Sequence, residues 1–241
     1  MTPWRLLLDG RCPARRTMEK DLDLFEAVRS GFLPGALRIY NWAEPAVTIG
    51  YHQKSFTLSD PSLEIPILRR PTGGGAVLHV DDITFSISSP STGHLSGSIP
   101  ECSGRISNIF AMVFHRCGID VEARGGEHGF SDVCFARPSP VELMFCRSKL
   151  MGLALTRKGR HLLVQGVIPL KVDQLLSQRV FGMRLPHPLV GILDYLPDFS
   201  VDAFACQLRV GFASELGVLL QKSDEEYHES NGADECKVEP R

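Results

Sequence analysis

The sequence predicts a single α+β domain with mainly antiparallel or mixed sheets and flanking helices. Short β-prone runs outnumber amphipathic helical segments, and the two kinds are interspersed without the regular strand-helix alternation of parallel sheets. No linker-like stretch interrupts residues 1–221, so one domain is expected there. Residues 222–241 are polar and acidic with almost no large apolar side chains, and we expect a disordered tail.

The first expected elements are a strand and a helix. An apolar run at residues 4–8 predicts a buried strand. Thr17 is a suitable N-cap for a helix that ends at Gly31. Its apolar face is formed by Met18, Leu22, Phe25 and Val28. Asp21 lies beside that face and is interpreted as a solvated carboxylate, the usual state of an aspartate.

Five β-prone runs and a loop follow in the middle of the chain. The runs are residues 36–42, 46–51, 67–70, 76–79 and 83–88. Residues 89–104 are rich in Ser, Gly and Pro, which predicts a mobile loop suited to act as a lid.

The second half returns to helices and strands. A helix is expected to end near Gly118, because apolar residues recur at helical spacing before it. Further strands are expected near Val121 and at residues 133–136, 141–145, 149–155 and 161–168. A short helix is predicted at residues 172–176, and a last helix begins after Ser200 as its N-cap.

Composition argues against several classes of protein. The formal charge is only -2 and no long Lys/Arg run is present, so nucleic-acid binding has no support. No run of about 18 apolar residues occurs, and the N-terminal basic residues follow the apolar patch, so we expect a cytoplasmic protein without membrane contact. Seven cysteines without a C-x-x-C pair predict reduced thiols rather than disulfides or a zinc site.

The most informative stretch is LRRPTGGGAVLHVDDITF, residues 68–85. Three consecutive glycines permit positive φ angles, close approach of a ligand, and amide groups aimed at an anion. Arg69 and Arg70 are placed to offer a fork of donors to one carboxylate or phosphate. The alternative is a plain hairpin with solvated arginines. Neither a P-loop nor a Rossmann fingerprint is present.

Several segments, taken in order, carry a family resemblance. They are TMEKD, LRIYNW, TIGYHQ, RRPTGGGAVLH, SDVCFARPSPVEL, KLMGLAL and LLVQGVIPL. Together they resemble the superfamily of lipoate-protein ligase A, octanoyltransferases and biotin ligases over residues 15–220. The resemblance implies the catalytic-domain fold of the biotinyl and lipoyl protein ligases.

The resemblance also implies a set of site residues. Lys149 corresponds to the lysine that contacts the acyl carbonyl region. The implied substrate-binding residues are Arg70, Gly73, Gly74, Gly75, Ala76, Val77, Leu78, His79 and Gly152. For His79 a general base, a donor to phosphopantetheine and a structural histidine below the glycines all remain open, and the structural role is favoured.

Two chemistries occur in this superfamily. Ligases make an acyl-adenylate from ATP and usually carry an additional C-terminal domain, whereas octanoyltransferases pass octanoate from acyl carrier protein to a lipoyl-domain lysine. The single domain expected here favours the transferase. Cys134-Phe135 stands fifteen residues before Lys149, as in the cysteine-dependent transferase branch. A nearby ammonium favours the thiolate and stabilises an oxyanion, so Cys134 and Lys149 are the expected catalytic pair.

Two other functions remain open. An ATP-dependent lipoate ligase, or its catalytic half, requires Mg-ATP and tolerates loss of Cys134. A non-catalytic acyl or lipoyl-domain binder is suggested because Leu153 and Leu155 stand where the family has polar residues. Gln165 is a further departure, since many members have a histidine there. Cys146, three residues before Lys149, is a rival nucleophile.

The resemblance therefore leads to one main hypothesis. The chain transfers octanoate from acyl carrier protein to a lipoyl-domain lysine, such as that of glycine-cleavage H protein or a 2-oxoacid dehydrogenase E2. The intermediate is a thioester on Cys134, no metal or nucleotide is required, and a monomer is expected.

Overall fold

The computed structural model describes residues 1–124, 142–146, 148–183 and 190–222. Its strands are β1 (Thr2–Cys12), β2 (Ala36–Trp42), β3 (Ala46–Ile49), β4 (Ile67–Arg69), β5 (Val77–His79), β6 (Asp81–Pro90), β7 (Glu122–Arg124), β8 (Glu142–Phe145), β9 (Ser148–Lys158), β10 (His161–Lys171) and β11 (Val218–Lys222). Its helices are α1 (Ala14–Arg29), α2 (Ile99–Arg116), α3 (Gln174–Phe181) and α4 (Val201–Leu216).

The described strands form two sheets. The large sheet has the order β11-β1-β2-β6-β10-β9-β8-β7, and the small sheet has the order β4-β3-β5. In the large sheet β1 runs parallel to β11 and β2, and the other neighbours are antiparallel. This arrangement confirms the predicted α+β class with mixed, mainly antiparallel sheets.

Both faces of the large sheet are covered, which explains why five of the seven residues of β2 are apolar. Leu37 and Ile39 of β2 pack in the main core with α2 and α4. Tyr40 and Trp42 pack on the opposite face against Met18 of α1. Across the described ranges, no helix combines the length and apolar character needed to cross a membrane.

Helix α1 begins three residues before the predicted Thr17, so that N-cap prediction is wrong. Pro13 precedes the helix with an extended ψ of 139°, and its fixed φ is compatible with a helix start. Thr17 instead lies inside the helix, where its Oγ1 donates to the Ala14 carbonyl at 2.7 Å. The predicted end is confirmed, because Gly31 follows the helix with a φ of +80°.

The loop and lid predicted at residues 89–104 are wrong over most of that segment. Strand β6 continues to Pro90, a short 3-10 turn covers Gly93–Leu95, and α2 begins at Ile99. Ser98 and Glu101 form a capping box, in which the Ser98 amide donates to Glu101 Oε2 at 2.7 Å. The Ser-x-x-Glu spacing is typical of a capping box and indicates a helix start at Ser98. The loop was predicted instead because the segment is rich in Ser, Gly and Pro.

Other element boundaries also differ from the predictions. Strands β4 and β5 do not form a hairpin, because each pairs with β3. Helix α3 begins at Gln174, later than the predicted start at residue 172, and it is longer than predicted. Asp173 caps its start by accepting from the Leu176 amide at 2.9 Å. Strand β11, which pairs with β1, was not predicted. The strand expected at residues 133–136 lies outside the described residues.

The Ser200 cap is confirmed at the start of α4. Its Oγ accepts from the Ala203 amide at 3.2 Å. The apolar spacing that predicted this helix matches its packing, since Phe204, Leu208 and Phe212 are buried in the main core.

Two hydroxyls on β6 lead to a stability prediction. Ser88 and Ser89 are buried, and within the described structure their Oγ atoms have no hydrogen-bond partner. Since burying an unsatisfied hydroxyl costs about 1–3 kcal/mol, we expect Ser88→Ala to raise the free energy of unfolding by about 1 kcal/mol, measured by urea denaturation. Ser86→Ala is the matched control, and it should lower stability because Ser86 Oγ donates to Asp21 Oδ1 at 2.7 Å. A loss of stability in Ser88→Ala contradicts the prediction.

Candidate functional site

A pocket lies between α1, the small sheet and strands β9 and β10. It holds about 410 Å³ of empty space, part of it open to solvent. Its lining residues are Met18, Tyr40, Trp42, Thr48, Arg70, Val77, His79, Thr84, Gly152, Leu153, Ala154, Gln165, Gly166 and Val167. The pocket therefore brings together four of the residues implied by the resemblance, namely Arg70, Val77, His79 and Gly152.

The glycine loop, residues 72–75, folds around the guanidinium of Arg70. Arg70 Nη2 donates to the carbonyls of Gly73 and Gly75, each at 2.7 Å. Its Nη1 donates to the carbonyl and Oγ1 of Thr48, both at 3.2 Å. Arg70 is buried, and these bonds attach the loop to a residue that lines the pocket.

Arg69 does not share a ligand fork with Arg70. Its guanidinium donates to the carbonyls of Gly50, Tyr51 and Gln53. The common fork expected from their adjacency is therefore absent, because successive side chains of an extended segment point in opposite directions.

Only Gly74 of the three loop glycines has a positive φ, at +92°. The glycine loop closely approaches another part of the chain, at the end of β3. A Cβ on Gly50 would lie 2.0 Å from the Gly74 carbonyl oxygen. Gly50 is thus required for the contact between the end of β3 and the loop.

This contact predicts that Gly50→Ala displaces the loop. A backbone atom cannot be avoided by rotating a side chain, so we expect a stability loss of about 1–3 kcal/mol, measured by urea denaturation. Gly73→Ala is the matched control for stability, since a Cβ there meets no atom within 4 Å. Equal stability of the two variants contradicts the prediction.

His79 lies below the glycine loop in a buried hydrogen-bond network. Its Nδ1 is 2.9 Å from Asp82 Oδ2, and its Nε2 is 3.0 Å from Thr48 Oγ1. The ring stacks on Trp42 with centroids 4.3 Å apart. Both ring nitrogens are thus engaged by protein groups, which favours the structural role among those left open for His79.

Asp21 is completely buried, so its interpretation as a solvated carboxylate is wrong. Its Oδ1 accepts from Arg38 Nη1 and from Ser86 Oγ, each at 2.7 Å. Arg38 is 1% exposed, and it also donates to Asp9 Oδ2 at 2.6 Å. The carboxylate tolerates burial because a buried guanidinium and hydrogen bonds compensate its charge.

Tyr40 completes the surroundings of Asp21. Its hydroxyl donates to Asp21 Oδ2 at 3.4 Å. Burial, together with the charge of Asp21, raises the pKa of Tyr40 well above its usual range. The phenol therefore stays protonated and remains a donor.

Gln165 connects Asp21 to the glycine loop. Its Nε2 donates to Asp21 Oδ2 at 2.7 Å, and its Oε1 accepts from Thr72 Oγ1 at 2.8 Å. The link from Asp21 through Gln165 to Thr72 was not predicted from the sequence. Two signals were available: the position of Asp21 on the apolar stripe of α1, and Gln165 in place of the family's histidine.

Of the two predicted catalytic residues, Lys149 lies within the described structure. Lys149 lies near the start of β9, is 4% exposed, and precedes the pocket residue Gly152 by three positions. Cys134 lies outside the described residues. The rival Cys146 is exposed in the turn before β9, with a φ of +49°. A hydrogen bond with Cys146 raises the pKa of Tyr195.

The departures from the family pattern on β9 have a packing explanation. Leu153 and Leu155 are partly buried and pack against the main core. Their register partners on β10 are Gly166 and Val164. In the described part of the chain, no group of three or more His, Cys, Asp or Glu side chains is arranged to hold a metal ion.

Comparison with known proteins agrees with the geometry. A family model described as the lipoyl protein ligase A/B catalytic domain matches residues 13–213. Octanoyltransferase LipM of Lysinibacillus sphaericus is 30% identical, covering 92% of this chain and 90% of that protein. Octanoyltransferase LipM of Kyrpidia tusciae is 34% identical, covering 72% of this chain and 68% of that protein.

Solved structures share the fold. Protein Ta0514 from T. acidophilum with bound lipoic acid has a TM-score of 0.73 at 22% identity, covering 92% of this chain and 89% of that one. A lipoate-protein ligase A bound with ATP has a TM-score of 0.70 at 23% identity, with the same coverages. The resemblance found in the sequence is therefore confirmed, and the chain belongs to the lipoyl protein ligase A/B catalytic domain family.

Proposed function

We propose that this protein transfers an octanoyl group from a carrier thioester to the lysine of a lipoyl domain. The observation that carries the proposal is the pocket, whose polar side chains are already hydrogen-bonded within the protein. The relatives named octanoyltransferase, which match most of this chain, support the same reaction.

The pocket suits an aliphatic chain. Met18, Trp42, Val77 and Val167 give it apolar walls. The polar atoms of His79 and Gln165 are bonded to Thr48, Asp82, Asp21 and Thr72. Recognition thus depends mainly on apolar burial, and at about 0.8 kcal/mol per methylene an octanoyl tail supplies several kcal/mol.

Cys134 is the proposed nucleophile. Its thiolate attacks the donor thioester, so a new carbon–sulfur bond forms as the donor's carbon–sulfur bond breaks, and the departing carrier thiolate takes up the proton that Cys134 lost. The neutral amine of the acceptor lysine then attacks the acyl-enzyme. The amide carbon–nitrogen bond forms as the carbon–sulfur bond to Cys134 breaks, and the proton of the amine passes to the released thiolate. This two-step route uses covalent catalysis and needs no ATP.

Lys149 is the proposed electrostatic partner in both steps. An ammonium near Cys134 lowers the pKa of the thiol and stabilises the oxyanion that forms on the acyl carbonyl. Lys149 is 4% exposed, and an ammonium charge held at such a site acts on a neighbouring thiolate or oxyanion more strongly than at the surface, because the dielectric constant there is low. Arg70 and the segment from Gly73 to His79, with Gly152, hold the acyl group in this proposal.

The proposed partners are octanoyl acyl carrier protein and an acceptor such as glycine-cleavage H protein or a 2-oxoacid dehydrogenase E2. The proposal further includes a monomeric enzyme of the cytoplasm that requires no metal or nucleotide.

The test is intact-protein mass spectrometry after mixing the purified chain with octanoyl acyl carrier protein without ATP. We expect an octanoyl adduct that hydroxylamine removes and that disappears when a lipoyl domain is added. The lipoyl domain should gain the same mass.

Two other outcomes contradict the proposal. Modification of the lipoyl domain only with ATP and free octanoate identifies a ligase. Binding of either partner without any adduct or product, under conditions in which a known octanoyltransferase is active, identifies a non-catalytic binder.

A further inference from the structure

We infer that Gln165 is a positioning residue that fixes the glycine loop beside the acyl pocket. It does so by linking Thr72 to the buried pair formed by Asp21 and Arg38. The inference rests on the proposed function only where it concerns octanoyl transfer. The structural link itself is independent of the reaction.

The hydrogen bonds of this link all run in one direction, since Thr72 donates to Gln165 and Gln165 donates to Asp21. Asp21 accepts two hydrogen bonds at Oδ1, one from Ser86 and one from the Arg38 guanidinium, with which it forms a buried ion pair. An ionised carboxylate only accepts, so the Gln165 amide nitrogen must face Asp21 Oδ2. The Gln165 oxygen then faces Thr72, whose hydroxyl is the donor. The charge of Asp21 therefore sets the orientation of every bond as far as the loop.

Thr72 is the loop residue that this hydrogen-bond chain holds in place. The residue is completely buried, and its carbonyl accepts from the Tyr51 amide at 2.9 Å. Thr72 is thus held at its side chain by Gln165 and at its backbone by Tyr51. Arg70 binds the next part of the loop through Gly73 and Gly75. Gln165 and Arg70 consequently anchor the loop on two sides.

Gln165 acts through the loop rather than on the substrate. Although it lines the pocket, its amide oxygen is bonded to Thr72 and its nitrogen to Asp21, with Met18 Sδ a further acceptor at 3.5 Å. Its polar atoms are therefore committed to protein partners. Loss of the link shifts the loop, and a displacement of about 1 Å at a reacting group reduces a rate by about 100-fold.

The decisive experiment compares Thr72→Val with Thr72→Ser. Valine keeps the shape of threonine but cannot donate to Gln165, whereas serine keeps the hydroxyl. Hydrogen exchange of the Tyr51 amide, followed by NMR, reports the position of Thr72 because that amide donates to its carbonyl. We expect about tenfold faster exchange in Thr72→Val and a rate close to that of the wild type in Thr72→Ser.

Ser86→Ala supplies the matched control. It removes a hydrogen bond to the same carboxylate at Oδ1 but leaves the contacts of Gln165 and Thr72 in place. We expect lower overall stability in this variant, with no selective increase of exchange at Tyr51. Exchange at Leu163 in β10 serves as the reference for global opening. Selective acceleration at Tyr51 in Ser86→Ala, or none in Thr72→Val, overturns the inference.

Transfer kinetics test the consequence for the reaction. Thr72→Val and Gln165→Leu should each lower kcat for octanoyl transfer by about 10- to 100-fold, and Thr72→Ser should restore most of it. The double variant should be no worse than either single variant, because both remove one link. Equal kcat values for Thr72→Val and Thr72→Ser overturn the inference. If the wild-type protein transfers no octanoate, the proposed function fails while the exchange comparison still decides the positioning role.

Discussion

Replacing Cys134 with alanine is expected to abolish ATP-independent octanoyl transfer, with a loss of at least about 1,000-fold in kcat. The proposed reaction forms a covalent acyl-enzyme, and removing the nucleophile of such an enzyme eliminates the intermediate rather than slowing one step. Intact mass spectrometry should show no octanoyl adduct on Cys134→Ala. Lipoyl-domain modification, measured in the same samples, should fall to the uncatalysed rate.

Cys146→Ala is the matched control for this prediction. Cys146 is an exposed thiol on the same stretch of chain as Lys149, so it tests whether any nearby cysteine accepts the acyl group. We expect the Cys146 variant to retain the adduct and most of the activity. An adduct that persists in Cys134→Ala and disappears in Cys146→Ala assigns the nucleophile to Cys146. If neither variant changes the rate, the thioester mechanism is wrong.

The strands and the main core of this fold were largely predictable from local patterns. Residues 36–42 form β2 as predicted, because most of this run is apolar or aromatic and is buried on both faces of the sheet. Helix α4 was predictable from the Ser200 cap and from buried residues spaced by four. These signals lie within a few residues of the element they specify. Boundaries that depended on pairing with distant strands, such as β11, were missed.

The site was only partly predictable for the same physical reason. The glycines and Arg70 form a local motif, and the sequence identified them. The bonds from Asp21 to Ser86 and to Gln165 span 65 and 144 residues, and no local pattern encodes such distances. The position of Asp21 between Met18 and Phe25 on the buried face of α1 was one available clue. A carboxylate on an apolar stripe either disrupts the helix packing or has a buried partner.

The sequence also could not predict which groups the Arg70 guanidinium binds. Its type and position predicted a donor to a ligand, and the structure shows donors committed to carbonyls of Thr48, Gly73 and Gly75. An arginine beside a glycine loop has two uses, since the same fork that binds an anion also binds backbone carbonyls. Sequence does not distinguish these uses, because they differ only in how the loop closes.

The buried charge at Asp21 predicts the largest effect on stability. Asp21→Ala removes the carboxylate from Arg38 and leaves a guanidinium that is 1% exposed without its partner on α1. Breaking a buried ion pair on one side costs about 3–5 kcal/mol, because the remaining charge stays desolvated. The variant also leaves Ser86, Tyr40 and Gln165 without their common acceptor. We expect a fall of at least about 3 kcal/mol in the free energy of unfolding, measured by urea denaturation.

Arg38→Met in combination with Asp21→Ala tests the reason for that loss. If desolvated charge is the cause, the double variant should be more stable than the sum of the two single losses predicts, because no charge of the pair remains buried alone. Asp9→Ala removes the other carboxylate of Arg38, which is 13% exposed and also pairs with Lys20. Its cost should be nearer 1 kcal/mol, since water can solvate that edge of the network. A loss in Asp21→Ala no larger than in Asp9→Ala means that the buried pair contributes little to stability.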